Sequence, residues 1–395
     1  MAGELALTKA ALLTPFVMFD EATVLVKDGK ILAAGPSDQV SVPPEFREVP
    51  LEGLMIAPGF IDQHVHGGGG AAVMEGATEK LVEMARFHVT HGTTTFLASA
   101  TSSTCDHLAK VAKAFAGLSQ KTYKGARCLG IHLEGPFLSP KYYGAHSRNA
   151  LRIPDIQEVL ILHKLSDFGI KMMTLAPELP GAMELAASLV DKGILCAIGH
   201  SDADYETTIT AITNGFSNIT HCFNQLRPFH HREPGVLGAA LLRPELSLEL
   251  IADGIHLHPA TLELVLKTKG PEKIILVSDA MSPTGMPNGK YQTSEGELTL
   301  YKGSLTNQNG NLAGSVLTLE RAIKNFMDFT GCELTDALRM ATYNPARYLG
   351  INKRKGSLYP GKDADLVALT PDLDVVMTMV EGEIISGLIS LDREE

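Results

Sequence analysis

The sequence predicts an α/β fold: a TIM-like (β/α)8 barrel with a small β-sandwich domain built from both chain ends. Three observations predict it. The middle of the chain alternates strand-like and helix-like runs, the pattern of a parallel sheet with crossover helices. Eight strand candidates occur there, the number that a closed barrel needs. Both flanks hold only short strands and turns, and neither is large enough to bury a core alone. The boundaries read as residues 1–57 and 351–395 for the two parts of the β-sandwich and 58–350 for the barrel. At 395 residues the chain accommodates a barrel of roughly 250 residues and a smaller companion.

In the first flank, Ala22 to Val26 and Ile31 to Ala34 surround Asp28-Gly29, a two-residue hairpin signal. In the last, Ala364 to Leu369 and Val375 to Ile385 read as strands. The barrel strands are expected to end near Asp62, then to cover Thr94 to Ser99, Leu129 to Glu134, Lys171 to Ala176 and Ile194 to Gly199. Ser217 to His221, Leu248 to Asp253 and Ile274 to Asp279 complete the eight. Helical patterns lie between them over 78–91, 105–118, 155–168, 182–192, 204–214 and 259–267, with two more after strand eight over 317–330 and 334–349.

Composition narrows the function classes. A formal charge of −11 argues against a general binder of nucleic acid or anionic membrane, yet leaves room for an anionic substrate held by a few local cations. No apolar run approaches a membrane span. Five scattered cysteines without a Cys-x-x-Cys pair read as reduced thiols, and the chain reads as cytoplasmic.

The chemistry sits where the strands finish. His64 and His66 are two apart, so on a strand both imidazoles point to one face. Glu134 closes strand three, His200 follows strand five, His221 ends strand six and Asp279 ends strand eight. A parallel barrel gathers its strand ends at one mouth. Any one of these histidines reads more readily as a hydrogen-bonded core residue than as a ligand; the coincidence over five strand ends does not. Four imidazoles and two carboxylates make a borderline nitrogen and oxygen set suited to Zn²⁺, with Fe²⁺, Mn²⁺ or Co²⁺ as substitutes.

The run Pro58-Gly59-Phe60-Ile61-Asp62 with His64 and His66 resembles the amidohydrolase superfamily. Longer stretches resemble, more narrowly, the N-acetylglucosamine-6-phosphate deacetylases. They include His132-Leu133-Glu134-Gly135-Pro136-Phe137, Gly199-His200-Ser201-Asp202-Ala203 and Arg232-Glu233-Pro234-Gly235. Asp253-Gly254-Ile255-His256, Ser278-Asp279-Ala280-Met281, Leu312-Ala313-Gly314-Ser315 and Pro360-Gly361-Lys362-Asp363-Ala364-Asp365-Leu366 extend the likeness over nearly the whole chain.

That resemblance implies metal-dependent hydrolysis of an acetamide, releasing glucosamine-6-phosphate and acetate. It implies Glu134, His200 and His221 as ligands of the main metal and Asp279 as the catalytic general base and acid. Because the chain keeps His64 and His66, a second metal is expected, bridged by Glu134, giving one or two ions per subunit. No lysine stands at the strand-four end (Thr174, Leu175, Ala176) to be carboxylated, which favours the glutamate-bridged type. His146, from the residues alone a loop histidine, matches a family position near the substrate. Ala145, Leu312, Ala313 and Gly314 are implied at the sugar, and Asn224, Gln225, Arg232 and His256 at the phosphate. In relatives the equivalent arginine reaches across from a neighbouring subunit, which implies a homodimer. His230 and His231 read as a solvated loop. One departure stands out: the family pattern is His-x-Phe-Asn-Ala-Met, whereas this chain reads His221-Cys222-Phe223-Asn224-Gln225-Leu226. The exact substrate therefore stays open between N-acetylglucosamine-6-phosphate, N-acetylgalactosamine-6-phosphate and an N-acyl amino acid.

Overall fold

A computed structural model describes residues 4–294 and 296–387. Residues 1–3 and 388–395, assigned above to the β-sandwich, lie outside the described residues. Eight parallel strands follow one another around a barrel in sequence order. They are Phe60–Val65, Thr93–Ala100, Arg127–Glu134, Ile170–Leu175, Leu195–Ile198, Phe216–Ile219, Ser247–Leu250 and Ile274–Leu276. Below they are called strands one to eight. All eight overlap the expected segments, though strand one runs past Asp62 to Val65 and strands seven and eight end three residues before Asp253 and Asp279. Strands one and two are buried at every position, as a parallel sheet covered on both faces requires.

Strands eight and one do not pair along their length. The barrel is closed at the mouth by a parallel bridge between Val65 and Ala280, with Asp279 N–H donating to the His64 carbonyl at 2.9 Å and His66 N–H to the Ala280 carbonyl at 2.9 Å.

The chain ends form one continuous eight-stranded sheet folded into a β-sandwich around its own apolar cluster, with Leu7, Val24, Ile56, Leu366 and Met377 inside. Met55–Pro58 joins the two ends: it pairs in parallel with Leu5–Leu13 and antiparallel with Leu366–Leu369. The hairpin expected at Asp28-Gly29 is present, with both residues at positive φ (50° and 76°), as a type I′ turn requires. Gly59 carries the chain from sandwich to barrel. A Cβ there would lie 2.2 Å from the Thr94 side chain, so only glycine allows strand one to start so close to strand two.

Three details depart from the sequence reading. Gly235–Leu242 is a helix that the pattern did not reveal, because residues 235–240 are buried all round and no amphipathic period exists to detect. The helix expected over 334–349 is two helices, Leu334–Ala341 and Tyr343–Tyr348, broken at Thr342 (φ −132°, ψ −74°). Pro345 explains the break, since its ring would meet the carbonyl of Ala341 and it has no N–H to donate. After strand eight, Gly289–Thr293, Gly296–Tyr301 and Ser304–Asn307 form an antiparallel sheet. This flap packs Leu298, Leu300 and Leu305 on Met281 and Ala313, beside the mouth of the barrel.

Candidate metal centre

The six strand-end donors converge. His64, His66 and Asp279 form one buried group, and Glu134, His200 and His221 another, with the donor atoms in each lying within 4.8 Å of one another. Glu134 sits between them. Its Oε1 lies 2.8 Å from His221 Nε2 and 3.2 Å from His200 Nε2, while Oε2 lies 3.3 Å from His66 Nε2. Three of the six, His200, His221 and Asp279, stand just past their strands at positive φ (49°, 26° and 51°). That region costs a non-glycine residue on the order of 1–3 kcal/mol.

The tautomers show that the residues suit a cation. A carbonyl or carboxylate oxygen can only accept, so a ring nitrogen facing it must carry the proton. His66 Nδ1 donates to the Ser99 carbonyl at 3.0 Å, His200 Nδ1 to the Tyr142 carbonyl at 2.8 Å, and His64 Nδ1 to the Glu249 carboxylate at 3.0 Å. In the neutral ring each Nε2 is then the atom that can offer a lone pair to the centre. His64 Nε2 and His66 Nε2 are 3.0 Å apart, and His200 Nε2 and His221 Nε2 are 3.1 Å apart. Ring nitrogens that close need positive charge between or upon them, a proton or a metal ion. Anchoring a metal-binding imidazole through its second nitrogen is the usual arrangement at metal sites.

The electrostatics agree. Burial works to remove the charge of His66, yet Asp279 and Glu134 push its pKa up to about 10. His64 is raised well above its ordinary value, Glu134 outweighing the opposing effect of burial. Burial would raise the carboxylates, but His64 and His146 hold Glu134 well below its usual range. His66 and His64 likewise bring Asp279 down to about 2. His200, by contrast, is lowered by burial and by His146, which keeps it neutral and able to ligate.

The donors open onto a cavity of about 760 Å³ lined by Ala145, His146, Asn224, Gln225, His256, Leu312, Ala313 and Gly314. That size holds a small polar ligand. His146 joins the centre: its Nδ1 accepts from the Ser102 N–H at 3.1 Å, so its Nε2 carries the proton, 3.4 Å from Glu134 Oε2. His256 is fixed by Asp253, 2.7 Å from its Nδ1, and that carboxylate raises its pKa against the effect of burial. Gln225 packs against Gly144, where a Cβ would come within 2.9 Å of the Gln225 Cγ. Arg232 stands apart. It is exposed, its Nη1 is 2.9 Å from His231 Nε2, and it does not line its own chain's cavity. His230 and His231 are exposed beside it.

Sequence reasoning missed several residues here. Lys141 is the one lysine or arginine among the described residues lining the cavity, paired with Asp202 at 3.1 Å. Glu297 and Leu298 of the flap also line it. Glu249 carried a legible signal: a carboxylate between Leu248 and Leu250 in a strand buried on both faces.

The amidohydrolase family model matches residues 55–385. This chain belongs to the amidohydrolase family. Among the relatives of this family member, the N-acetylglucosamine-6-phosphate deacetylase of Bacillus subtilis (strain 168) is 36% identical over 389 residues, covering 97% of this chain and 98% of that one. The N-acetylgalactosamine-6-phosphate deacetylase of Escherichia coli O157:H7 is 35% identical over 375 residues, covering 95% and 97%. Among solved structures, a point mutant of the Mycobacterium smegmatis N-acetyl-D-glucosamine-6-phosphate deacetylase, in complex with N-acetyl-D-glucosamine-6-phosphate, superposes with a TM-score of 0.91 at 32% identity over 97% of this chain and 99% of that one. The amidohydrolase likeness agrees with the barrel, the sandwich and the two donor groups.

Proposed function

We propose that this chain hydrolyses the acetamide of N-acetylglucosamine-6-phosphate to glucosamine-6-phosphate and acetate, using a divalent metal. The placement of Glu134 between two histidine-containing groups at the floor of a sugar-sized cavity carries this reading. The B. subtilis and M. smegmatis relatives supply the substrate.

Glu134, His200 and His221 would hold one ion, and His64, His66 and Asp279, together with Glu134, would hold a second. Zn²⁺ suits this set best, with Fe²⁺, Mn²⁺ or Co²⁺ as substitutes. When bound, such an ion acidifies water toward neutrality and polarises a carbonyl. The protein supplies the rest. Asp279, ionised at neutral pH, takes the proton of the attacking water and returns it to the departing nitrogen. His146 presents its Nε2–H to the oxygen of the acetyl group as charge develops there. Asn224, Gln225 and His256 receive the phosphate, and the Leu312-Ala313-Gly314 turn with Ala145 receives the sugar ring. Lys141 lies on the same cavity wall and adds a cation for the phosphate.

Arg232 is exposed and does not line its own chain's cavity, which supports a homodimer in which it meets the phosphate bound by the neighbouring subunit. The division into a sandwich of residues 1–57 and 351–395 and a barrel of 58–350 belongs to the same proposal: every residue of the cavity lies between His66 and Gly314. No helix among the described residues is long and apolar enough to cross a membrane. Five cysteines without a disulfide support a cytoplasmic setting.

A second reading keeps the chemistry and changes the sugar. Gln225 replaces the family's alanine at the cavity, and the E. coli relative is named for the galactosamine-6-phosphate analogue. Acetate release from N-acetylglucosamine-6-phosphate, N-acetylgalactosamine-6-phosphate and unphosphorylated N-acetylglucosamine tests both. The glucosamine phosphate is expected to be fastest. A faster galactosamine phosphate selects the second reading, and no release from either phosphate overturns both.

A further inference from the structure

We propose that Glu249 is a positioning residue that builds the His64–His66–Asp279 subsite by locking the ring of His64. The inference rests on the metal-dependent reading above. Glu249 lies within strand seven, Ser247–Leu250, and is fully buried between the equally buried Leu248 and Leu250. It does not itself line the cavity, so it acts on substrate only through its neighbours.

Four donors converge on its carboxylate. Oε1 accepts from Gln63 Nε2 at 2.7 Å and from Asn218 Nδ2 at 3.0 Å. Oε2 accepts from His64 Nδ1 at 3.0 Å and from the His221 backbone N–H at 3.3 Å. A carboxylate removed from water persists in a protein core only when its lone pairs are met. Here the core gives up other hydrogen bonds to meet them: Gln63 Oε1 and Asn218 Oδ1 are buried without a partner among the described residues. Both amides turn their N–H groups toward Glu249 and leave their own oxygens unpaired.

The result is a fixed tautomer. With Nδ1–H committed to Glu249, His64 Nε2 is a lone pair held 3.0 Å from His66 Nε2 and 3.5 Å from Asp279 Oδ1. His66 and His200 are oriented by neutral carbonyls, whereas His64 is oriented by a carboxylate, which also strengthens the imidazole as a ligand. The carboxylate's own link to the other subsite, among the described residues, is the long His221 backbone contact. Loss of Glu249 therefore falls selectively on the subsite that contains His64.

The test compares wild type with Glu249→Gln and Glu249→Asp after removal of metal by a chelator and titration with Co²⁺. Stoichiometry by elemental analysis, the visible Co²⁺ spectrum and the melting temperature are read together. Wild type is expected to take up two ions. Glu249→Gln is expected to keep one, to bind the second about 10–100-fold more weakly and to lose one component of the spectrum; Glu249→Asp, which keeps the charge, loses less. In a His64→Asn background, Glu249→Gln is expected to change metal content no further. Two ions held with wild-type affinity by a folded variant would overturn the inference, as would equal weakening of both subsites or an added loss in the His64→Asn background. If Glu249→Gln does not fold, Glu249→Asp carries the same comparison. A wild type that takes up a single ion overturns the inference and leaves the deacetylase reading standing; one that takes up none removes both.

Discussion

The Asp279 N–H donates to the His64 carbonyl at 2.9 Å, across the seam where strand eight fails to pair with strand one. The proposed proton carrier and a proposed ligand of the second subsite are thus held by a backbone bond between distant chain segments. Their side chains face each other, Asp279 Oδ1 being 3.5 Å from His64 Nε2 and 3.2 Å from His66 Nε2. The barrel closes at its chemistry.

Asp279→Asn keeps the backbone bond and removes the proton acceptor. We expect kcat to fall by about 10²–10⁴-fold, with KM within a few-fold and the ion at Glu134, His200 and His221 retained. Steady-state kinetics alongside metal analysis check this; wild-type kcat with full metal would remove Asp279 from the mechanism.

Arg232→Ala is expected to raise KM for the phosphorylated sugar, by an amount that corresponds to losing roughly 2–4 kcal/mol of paired-charge binding. Lys141→Ala should act in the same direction but less, because Lys141 is exposed and already shares its charge with Asp202. The control is unphosphorylated sugar: an equal loss there would show that neither cation meets the phosphate.

The flap predicts a split between binding and stability. Leu298 is buried in the small cluster with Met281, Leu300, Leu305 and Ala313, and it also lines the cavity. Leu298→Ala removes contacts worth about 2–5 kcal/mol from a unit that is separate from the main core. KM for the sugar phosphate should rise several-fold while the melting temperature of the whole chain moves little. A large drop in melting temperature with unchanged KM would make the flap part of the core rather than of the site.

His88 sets an acid limit on stability. It is buried, its Nε2 donates to the Gly67 carbonyl at 3.0 Å, and burial, with some help from His91, lowers its pKa from 6.5 to about 4. The folded state thus refuses a proton that the unfolded chain accepts. The stability this gives is complete above pH 6.5 and is lost as pH falls from 6.5 to about 4, amounting to roughly 3 kcal/mol. Urea unfolding of wild type and His88→Gln between about pH 4 and 7 reads the difference directly. Parallel pH profiles for the two proteins would refute the assignment.

Much of this was legible before any coordinates. All eight barrel strands were readable because a parallel strand covered on both faces appears as an apolar run bounded by turns. The candidate metal donors were readable because they stand at or just past the ends of those runs. The flap was not: its strands Gly289–Thr293 and Gly296–Tyr301 alternate between half-buried and exposed positions over much of their length, and only Leu298, Leu300 and Leu305 carry a hydrophobic signal. Nor was the break at Thr342, where the helical period runs on through Pro345. Glu249 was visible as an oddity in strand seven, but its partner His64 lies 185 residues away.

Local rules of the chain were enough to place His64, His66, Glu134, His200, His221 and Asp279 at the rim of a barrel, because strand period and turn chemistry act over a few residues. Which donors group together, that Glu134 stands between the two groups, that Glu249 accepts from His64, and that Arg232 does not line its own cavity are matters of contact between distant segments. Those contacts are set by how the strands stack around the axis and where the seam closes, and no short-range pattern encodes them.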